Sequence, residues 1–367
     1  MSRDRPLLDF GPVPSFPPPS YAAAHDDEEE KDAPPQKWYH FLPTCVTVLF
    51  LLAPQPSWLI VLTRYHLGVL HDRWRFMQHL CITYALTLLA FSSLITIITR
   101  DPGRPPAQKT TAEHEEMNLT QALLADDIDY TSPGKWCRKC WAPKPERTHH
   151  CSHCGRCVLK MDHHCMWLGY KCLGHRNYTS FLHFIACITL LSLYIACVSV
   201  SATYYAFMNP FAIDDSTPLH EMSLGLAGII FTMVLGPFVI YHAFLVTTNQ
   251  TTIENLSPFH LLRQLPPLPP QHNSDRHRLS DPPLEHELSY NQRRLVRDAH
   301  GYIKLYDLGW RKNWAQVLGY DKPYGWLGRI LYGGGGVGDG VTFPRNPKAD
   351  ELLARLANEL VDADKMS

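Results

Sequence analysis

The chain has 367 residues, with 34 basic and 35 acidic side chains, 30 prolines, 11 cysteines and a formal net charge of −1. This balance argues against a mainly nucleic-acid-binding chain, which carries a basic excess, and excludes a polyacidic solvating protein. As an average it describes two ordinary soluble domains, but Asp, Glu, Lys and Arg are absent from four windows: Trp38 to Thr63, Phe76 to Thr99, Asn177 to Ile213 and Met222 to Ile253.

Residues 1–36 precede the first window. Eight prolines and the acidic run Asp26 to Glu30 cannot build a core, and predict a disordered tail. No apolar stretch comes before Trp38, so the first window is expected to act as its own insertion signal.

Each window is long enough for the roughly 20 apolar residues that cross a bilayer. The expected fold is an α-helical integral membrane protein with four transmembrane helices: two within 38–99 and two within 180–247. Pro54 and Pro56 interrupt the first, which is read as a kinked span. The third is placed at about Ser180 to Phe207 and the fourth at about Met222 to Val246. Buried helices of a soluble core are the rival reading, but soluble helices of this length show a charged face.

Lys and Arg near the spans set orientation. The segment 100–176 and the tail after Glu254 are rich in both, whereas Asp214 to Glu221 has none. Both termini and the central segment are therefore expected in the cytosol, on an endomembrane (ER, Golgi or vacuole) or the plasma membrane. Arg64, Arg73 and Arg75, between the first two spans, dissent. Sequons at Asn118, Asn177 and Asn249 all fall on the expected cytosolic side.

Seven cysteines lie between Cys137 and Cys172; Cys45, Cys81, Cys187 and Cys197 sit in apolar windows as small hydrophobes. In a reducing cytosol the cluster points to metal rather than disulfides. Cys137 with Cys140 and Cys151 with Cys154 have the C-x2-C spacing that presents two thiolates to one zinc ion, and histidines 149, 150, 153, 163, 164 and 175 supply imidazoles. Two closed sites need eight ligands, so six cysteines and two histidines leave one cysteine over; spacing alone does not say which. Asp162-His163-His164-Cys165 suggests Cys165, because a thiol, a base and an orienting acid make an activated nucleophile.

At these residues the chain resembles the DHHC-type protein S-acyltransferases, integral membrane enzymes that transfer palmitate from palmitoyl-CoA to cysteines of other proteins. The match runs through Cys137, Cys140, Pro145, Arg147, His150, Cys151, Cys154, Cys157, Asp162 to Cys165, Trp167, Cys172, Gly174 and Asn177. Asp101-Pro102-Gly103 resembles the family's DPG motif and Thr251-Thr252-Ile253-Glu254 its TTxE motif. Tyr306 to Gly309 with Asn313 resembles its C-terminal aromatic and asparagine motif.

The resemblance implies a cytosolic two-zinc domain (about 135–178) between helices 2 and 3. One structural zinc is held by Cys137, Cys140, His150 and Cys157, the other by Cys151, Cys154, His164 and Cys172. It implies Cys165 as nucleophile, His163 as base and Asp162 as its orienting acid. Trp167, Lys144 and Arg147 would contact acyl-CoA, with Thr252, Asn313 and Asp101 in support: Thr252 on Asp162, Asn313 tying the C-terminal segment to the catalytic domain. Solvated charge is the rival for Lys144 and Arg147, and plain capping for Thr252 and Asn313. Partners would be palmitoyl-CoA, the bilayer and client proteins with membrane-proximal cysteines. Two departures stand out: Met166 replaces the usual Pro, and six residues, MWLGYK, precede Cys172 where the family has five. Gly169 could absorb the extra one in a turn.

Other classes fit less well. A membrane-anchored zinc-domain ubiquitin ligase needs a further C-x2-C, and none follows Cys154. A zinc finger for nucleic acid needs 12-residue spacing, also absent. A non-catalytic zinc interaction module would leave Cys165 without a task.

The region 248–367 carries the TTxE motif, a proline-rich linker from Leu265 to Pro283, an aromatic stretch from Tyr302 to Leu331 expected to fold against something, and Gly333 to Gly336, read as a flexible loop. Last comes a short amphipathic helix with Leu352, Leu353, Leu356 and Leu360 on one face, a packing stripe.

Overall fold

The structure, a computed structural model, describes residues 37–105, 136–137, 139–140, 142–214, 216–268, 279–280, 282–319 and 325–365. The expected disordered tail 1–36, Asn118 and most of the proline-rich linker lie outside the described residues.

Four helices are long and apolar enough to cross a membrane: α1 (Trp38–Val69), α2 (Arg73–Thr99), α3 (Tyr178–Met208) and α4 (Thr217–Thr247). α1, α2 and α4 extend past one end of their charge-free windows by about one to two turns, and α3 stops short of the end of its own, because helices end where caps allow rather than where apolarity stops. Asp72, for example, caps α2 by accepting from Arg75 N at 3.0 Å. In α1 the prolines make a one-residue break at Ala53, which keeps right-handed helical angles, and Pro54 opens the next segment. Gln55 Nε2 donates to Leu51 O (3.2 Å) beside this break and to Thr87 Oγ1 of α2 (3.4 Å). At the far end Arg64, in the last turns of α1, pairs with Asp214 of the α3–α4 loop at 2.6 Å, so the end of α1 and that loop meet on one face, as four spans require.

α3 and α4 approach closely at Gly228, where an added Cβ would stand 2.8 Å from Ser192 O and 2.9 Å from Ala196 Cβ. Leu94, Ile97, Phe181, Ile185 and Val246 form a core at one end of the bundle, and Leu168 and Leu173 of the cysteine-rich domain are buried in it. That domain contains three antiparallel hairpins: β1 (Trp136–Cys137) with β2 (Ala142–Pro143), β3 (His149–Cys151) with β4 (Arg156–Val158), and β5 (His163–Cys165) with β6 (Lys171–Leu173).

After α4 come the short helix α5 (Thr252–Leu256), then α6 (Tyr290–Tyr302), α7 (Trp310–Leu318), α8 (Gly325–Tyr332) and α9 (Pro347–Lys365). The leucine stripe of α9 packs as expected: Leu353, Leu356 and Leu360 are buried against Val296, Ile303 and Leu262. Leu265, Leu268 and Leu279, at the ends of the expected linker, join the same core, so those ends are anchored. The aromatic stretch folds against the bundle, with Trp314 and Val317 in the core that holds Phe181.

The structure corrects the reading of Gly333 to Gly336 as a flexible loop. Added Cβ atoms would stand 2.5 Å from Thr179 O at Gly333 and 2.4 Å from His175 O at Gly336. Arg100 Nη1 donates to Gly334 O at 2.5 Å. The glycines make a strap whose backbone lies directly on the start of α3.

A candidate zinc-braced thiol site

Hairpin register assembles both metal clusters. His150 stands opposite Cys157 across β3–β4, and His164 opposite Cys172 across β5–β6. In each C-x2-C turn the second cysteine's amide donates to the first sulfur at 3.4 Å. His150 Nδ1 lies 3.5, 3.1 and 4.0 Å from the sulfurs of Cys137, Cys140 and Cys157. His164 Nδ1 lies 3.6, 3.4 and 3.7 Å from those of Cys151, Cys154 and Cys172. Zinc–thiolate bonds of about 2.3 Å give tetrahedral edges of roughly 3.7 Å, so each set fits one zinc ion. Hydrogen bonding among the crowded thiols pushes Cys172 up and Cys151 down, a competition for charge that a cation relieves. At the turn before Cys172, Gly169 and Tyr170 have φ of 79° and 51°.

Strand alternation then separates metal from reactive face. Side chains on β5 alternate, so His164 turns to the cluster while His163 and Cys165 share the other side. His163 Nδ1 donates to Asp162 Oδ2 at 2.7 Å. Asp162 is 1% exposed, and Thr252 holds it twice, N to Oδ1 and Oγ1 to Oδ2, each at 2.8 Å. Burial opposes ionisation of both groups. Their mutual hydrogen bond overrides it, lowering Asp162 and, with hydrogen bonding to Cys165, raising His163 to about 9.

Cys165 is half-buried against the bundle core. From that core an apolar groove of about 100 Å³ opens between α1, α3 and α4, lined by Leu51, Phe184, Ile188, Ile195, Leu224 and Phe231. Along α3, Phe184 to Ile195 is a rise of about 16 Å. Trp167 is 50% exposed and accepts from Thr47 Oγ1 of α1 at 3.3 Å.

Other expected residues fall into place. Asp101 pairs with Arg156 at 2.6 Å and accepts from Gly103 N, clipping the end of α2 to the cysteine-rich domain. Asn313 donates to Thr247 O and Asp307 Oδ1, both at 2.7 Å; it therefore ties the C-terminal segment to the end of α4 rather than to the cysteine-rich domain. Asn177 and Asn249 are buried, closed to any glycan in this fold. Lys144 is partly exposed.

Arg147 is different. Its side chain is fully buried, donating Nε and Nη2 to Glu254 (2.8 and 2.7 Å) and Nη1 and Nη2 to Asn249 (3.1 and 2.9 Å). Its guanidinium also lies 4.2 Å from the Tyr306 ring centroid. The expected contact with CoA phosphates is corrected: every face of this cation is occupied by protein. Sequence reasoning also missed Phe181 and His242, whose rings lie 5.6 and 6.1 Å from His163. They come from separate spans and carry no spacing signal.

A family model described as DHHC palmitoyltransferase matches residues 130–258. Probable protein S-acyltransferase 14 of Arabidopsis thaliana is 30% identical over 263 residues, 68% of this chain and 70% of that protein. The chain belongs to the DHHC palmitoyltransferase family. Palmitoyltransferase pfa3 of Emericella nidulans is 38% identical over 193 residues, 51% of this chain and 36% of that protein. Probable protein S-acyltransferase 13 of Arabidopsis thaliana is 36% identical over 181 residues, 47% and 58% respectively. This DHHC-family chain thus spans less than two thirds of the length of these last two relatives.

Proposed function

We propose that the chain is a protein S-acyltransferase working through Cys165. The observation that carries this is the spare thiol on the same strand face as His163, itself held by buried Asp162, with an apolar groove beside it. His163 Nε2, left free by the Nδ1 bond to Asp162, takes the Cys165 proton. The sulfur attacks the palmitoyl-CoA thioester carbonyl, and CoA leaves as the thiol with the proton from His163. A client cysteine then gives its proton to His163 and attacks the acyl-enzyme carbonyl; the Cys165 thioester bond breaks, and Cys165 leaves as the thiol with that proton.

The two clusters would hold zinc by Cys137, Cys140, His150 and Cys157 and by Cys151, Cys154, His164 and Cys172; closed four-ligand sites of this kind brace the fold. Thr252 fixes Asp162, while Asp101 and Asn313 position the domains. Thr47, which lines the groove, donates to Trp167 O and so makes Trp167 the candidate for the groove mouth, and partly exposed Lys144 is the candidate for CoA phosphate. Acyl methylenes entering the groove contribute about 0.8 kcal/mol each. Clients are proteins with membrane-proximal cysteines. The basic central segment supports cytosolic termini and a cytosolic zinc domain, on an endomembrane or the plasma membrane.

Purified protein incubated with labelled palmitoyl-CoA should acquire hydroxylamine-labile label, and Cys165→Ser none while keeping its zinc. Wild-type labelling of a zinc-loaded Cys165→Ser protein would refute the reading.

A further inference from the structure

A second cavity, of about 240 Å³, lies between the β4–β5 link, the start of α3, the end of α4 and the strap that follows α8. Its polar wall carries the donors Lys160, Thr179, Gln250 and Gln316, together with the carboxylate of Asp162. Lys160, held at φ 42° in the link, points its ammonium at the Phe343 ring, 5.5 Å from the centroid, and has no ion pair among the described residues. The neighbouring carboxylates are already engaged, Glu254 by Arg147 and Asp162 by His163 and Thr252. Burial, and then the Arg147 charge, pull Lys160 down to about 7, as expected of an ammonium lacking its counter-anion.

Three more donors line the same space. Thr179, near the positive end of α3, is 4% exposed, and its Oγ1 has no hydrogen-bond partner among the described residues. Gln316 spends its amide oxygen on Asn249 Nδ2 (3.0 Å). Gln250 spends its own on Thr248 Oγ1 (3.2 Å) and Asn255 Nδ2 (3.3 Å). Each glutamine is left with its NH2 group to give. On the opposite wall Gly336 and Gly338 bring bare backbone to the cavity, and His175 Nε2 is tied to Gly338 O at 3.2 Å.

We propose that this cavity binds a phosphate monoester on a small hydrophilic carrier, with Lys160 Nζ as counter-charge and Thr179 Oγ1 and the Gln250 and Gln316 amides as hydrogen-bond donors. A monoester offers three strong acceptor oxygens to this set of donors. Bound there, it would join the cysteine-rich domain, α3 and the C-terminal strap through one ligand. The cavity's place at the ends of α3 and α4 allows two sources, a phosphorylated lipid headgroup or a free phosphate ester.

The test uses full-length protein. One arm titrates inositol monophosphate, with unphosphorylated inositol as control. The other measures binding to phosphatidylcholine nanodiscs with and without phosphatidylinositol monophosphate, using protein in detergent. Saturable, phosphate-dependent binding is expected in at least one arm; binding confined to the nanodiscs identifies a lipid headgroup, and binding of the soluble ester a free one. Lys160→Met should weaken it at least about tenfold, Thr179→Val roughly threefold, and Lys160→Arg should retain it. Zinc content reports folding. If Lys160→Met loses zinc, the wild-type titration and Thr179→Val decide. No phosphate-dependent binding in either arm, or wild-type affinity in a zinc-loaded Lys160→Met or Thr179→Val protein, overturns the proposal.

Discussion

Arg147, on the turn before β3, and Glu254, in α5 after the last span, form a two-pronged ion pair at 2.8 and 2.7 Å, shut off from water. The pair fastens the cysteine-rich domain to the element that carries Thr252, and so sets where Asp162 is held. Arg147→Ala would leave a buried carboxylate without its cation, at a cost of about 3–5 kcal/mol. Arg147→Lys should rescue little of it, since an ammonium cannot reproduce the fork. Thermal unfolding in detergent measures both.

The same pair sets an acid limit. Burial alone would raise the Glu254 carboxyl, but the Arg147 charge and hydrogen bonds hold it below its ordinary 4.5. A lowered carboxyl contributes stability that is complete above its unfolded value and lost as pH falls through the folded one. Unfolding temperature should therefore show no loss from this pair between neutrality and about pH 5, and a decline below the ordinary glutamate range. An Arg147→Ala/Glu254→Gln double variant should lack that portion of the decline.

Thr252 bonds both oxygens of Asp162 at 2.8 Å, one through its backbone. Thr252→Val removes only the hydroxyl bond, so folding and zinc content should persist. Acyl-enzyme formation should fall roughly ten- to a hundredfold, the worth of one hydrogen bond to a charged carboxylate. Single-turnover labelling of Cys165 reads this directly.

The metal clusters interleave, since Cys157 completes the first set after Cys151 and Cys154 have begun the second. Cys157→Ser should therefore lower zinc below the wild-type content at both positions rather than at one, as elemental analysis would show. Prolonged chelation should open β3 to β6 to protease while leaving α1 to α4 intact.

Helix contact within the bundle gives a paired test. Gly228→Ala drives a Cβ to 2.8 Å from the Ser192 carbonyl, whereas at Gly236 nothing lies within 4 Å. The first change should cost about 1–3 kcal/mol by forcing α3 and α4 apart; the second meets only the neighbouring Pro237 ring, a local crowding that alanine's helix preference offsets, and should cost less. Detergent unfolding of the two variants separates packing from propensity.

The family resemblance assigned the eight metal ligands and the spare thiol, while the sequence by itself determined the four spans, the C-x2-C pairs and the run from Asp162 to Cys165. These rest on local physics: an apolar stretch long enough for a bilayer, C-x2-C turns, and an acid–base–thiol run within four residues. Tertiary structure alone decided the rest. Arg147 reads in sequence like a phosphate-binding cation, and only folding brings Glu254, 107 positions away, to claim it. Gly333 to Gly336 read as a loop because a glycine's close approach to another segment leaves no mark in its own neighbours; His175 and Thr179 supply that surface. Phe181 and His242 stand beside His163 because two spans converge there. Burial and long-range pairing depend on where distant segments meet, and they turned a list of charged residues into one buried clamp, Arg147 with Glu254, and one lysine, Lys160, with no ion pair among the described residues.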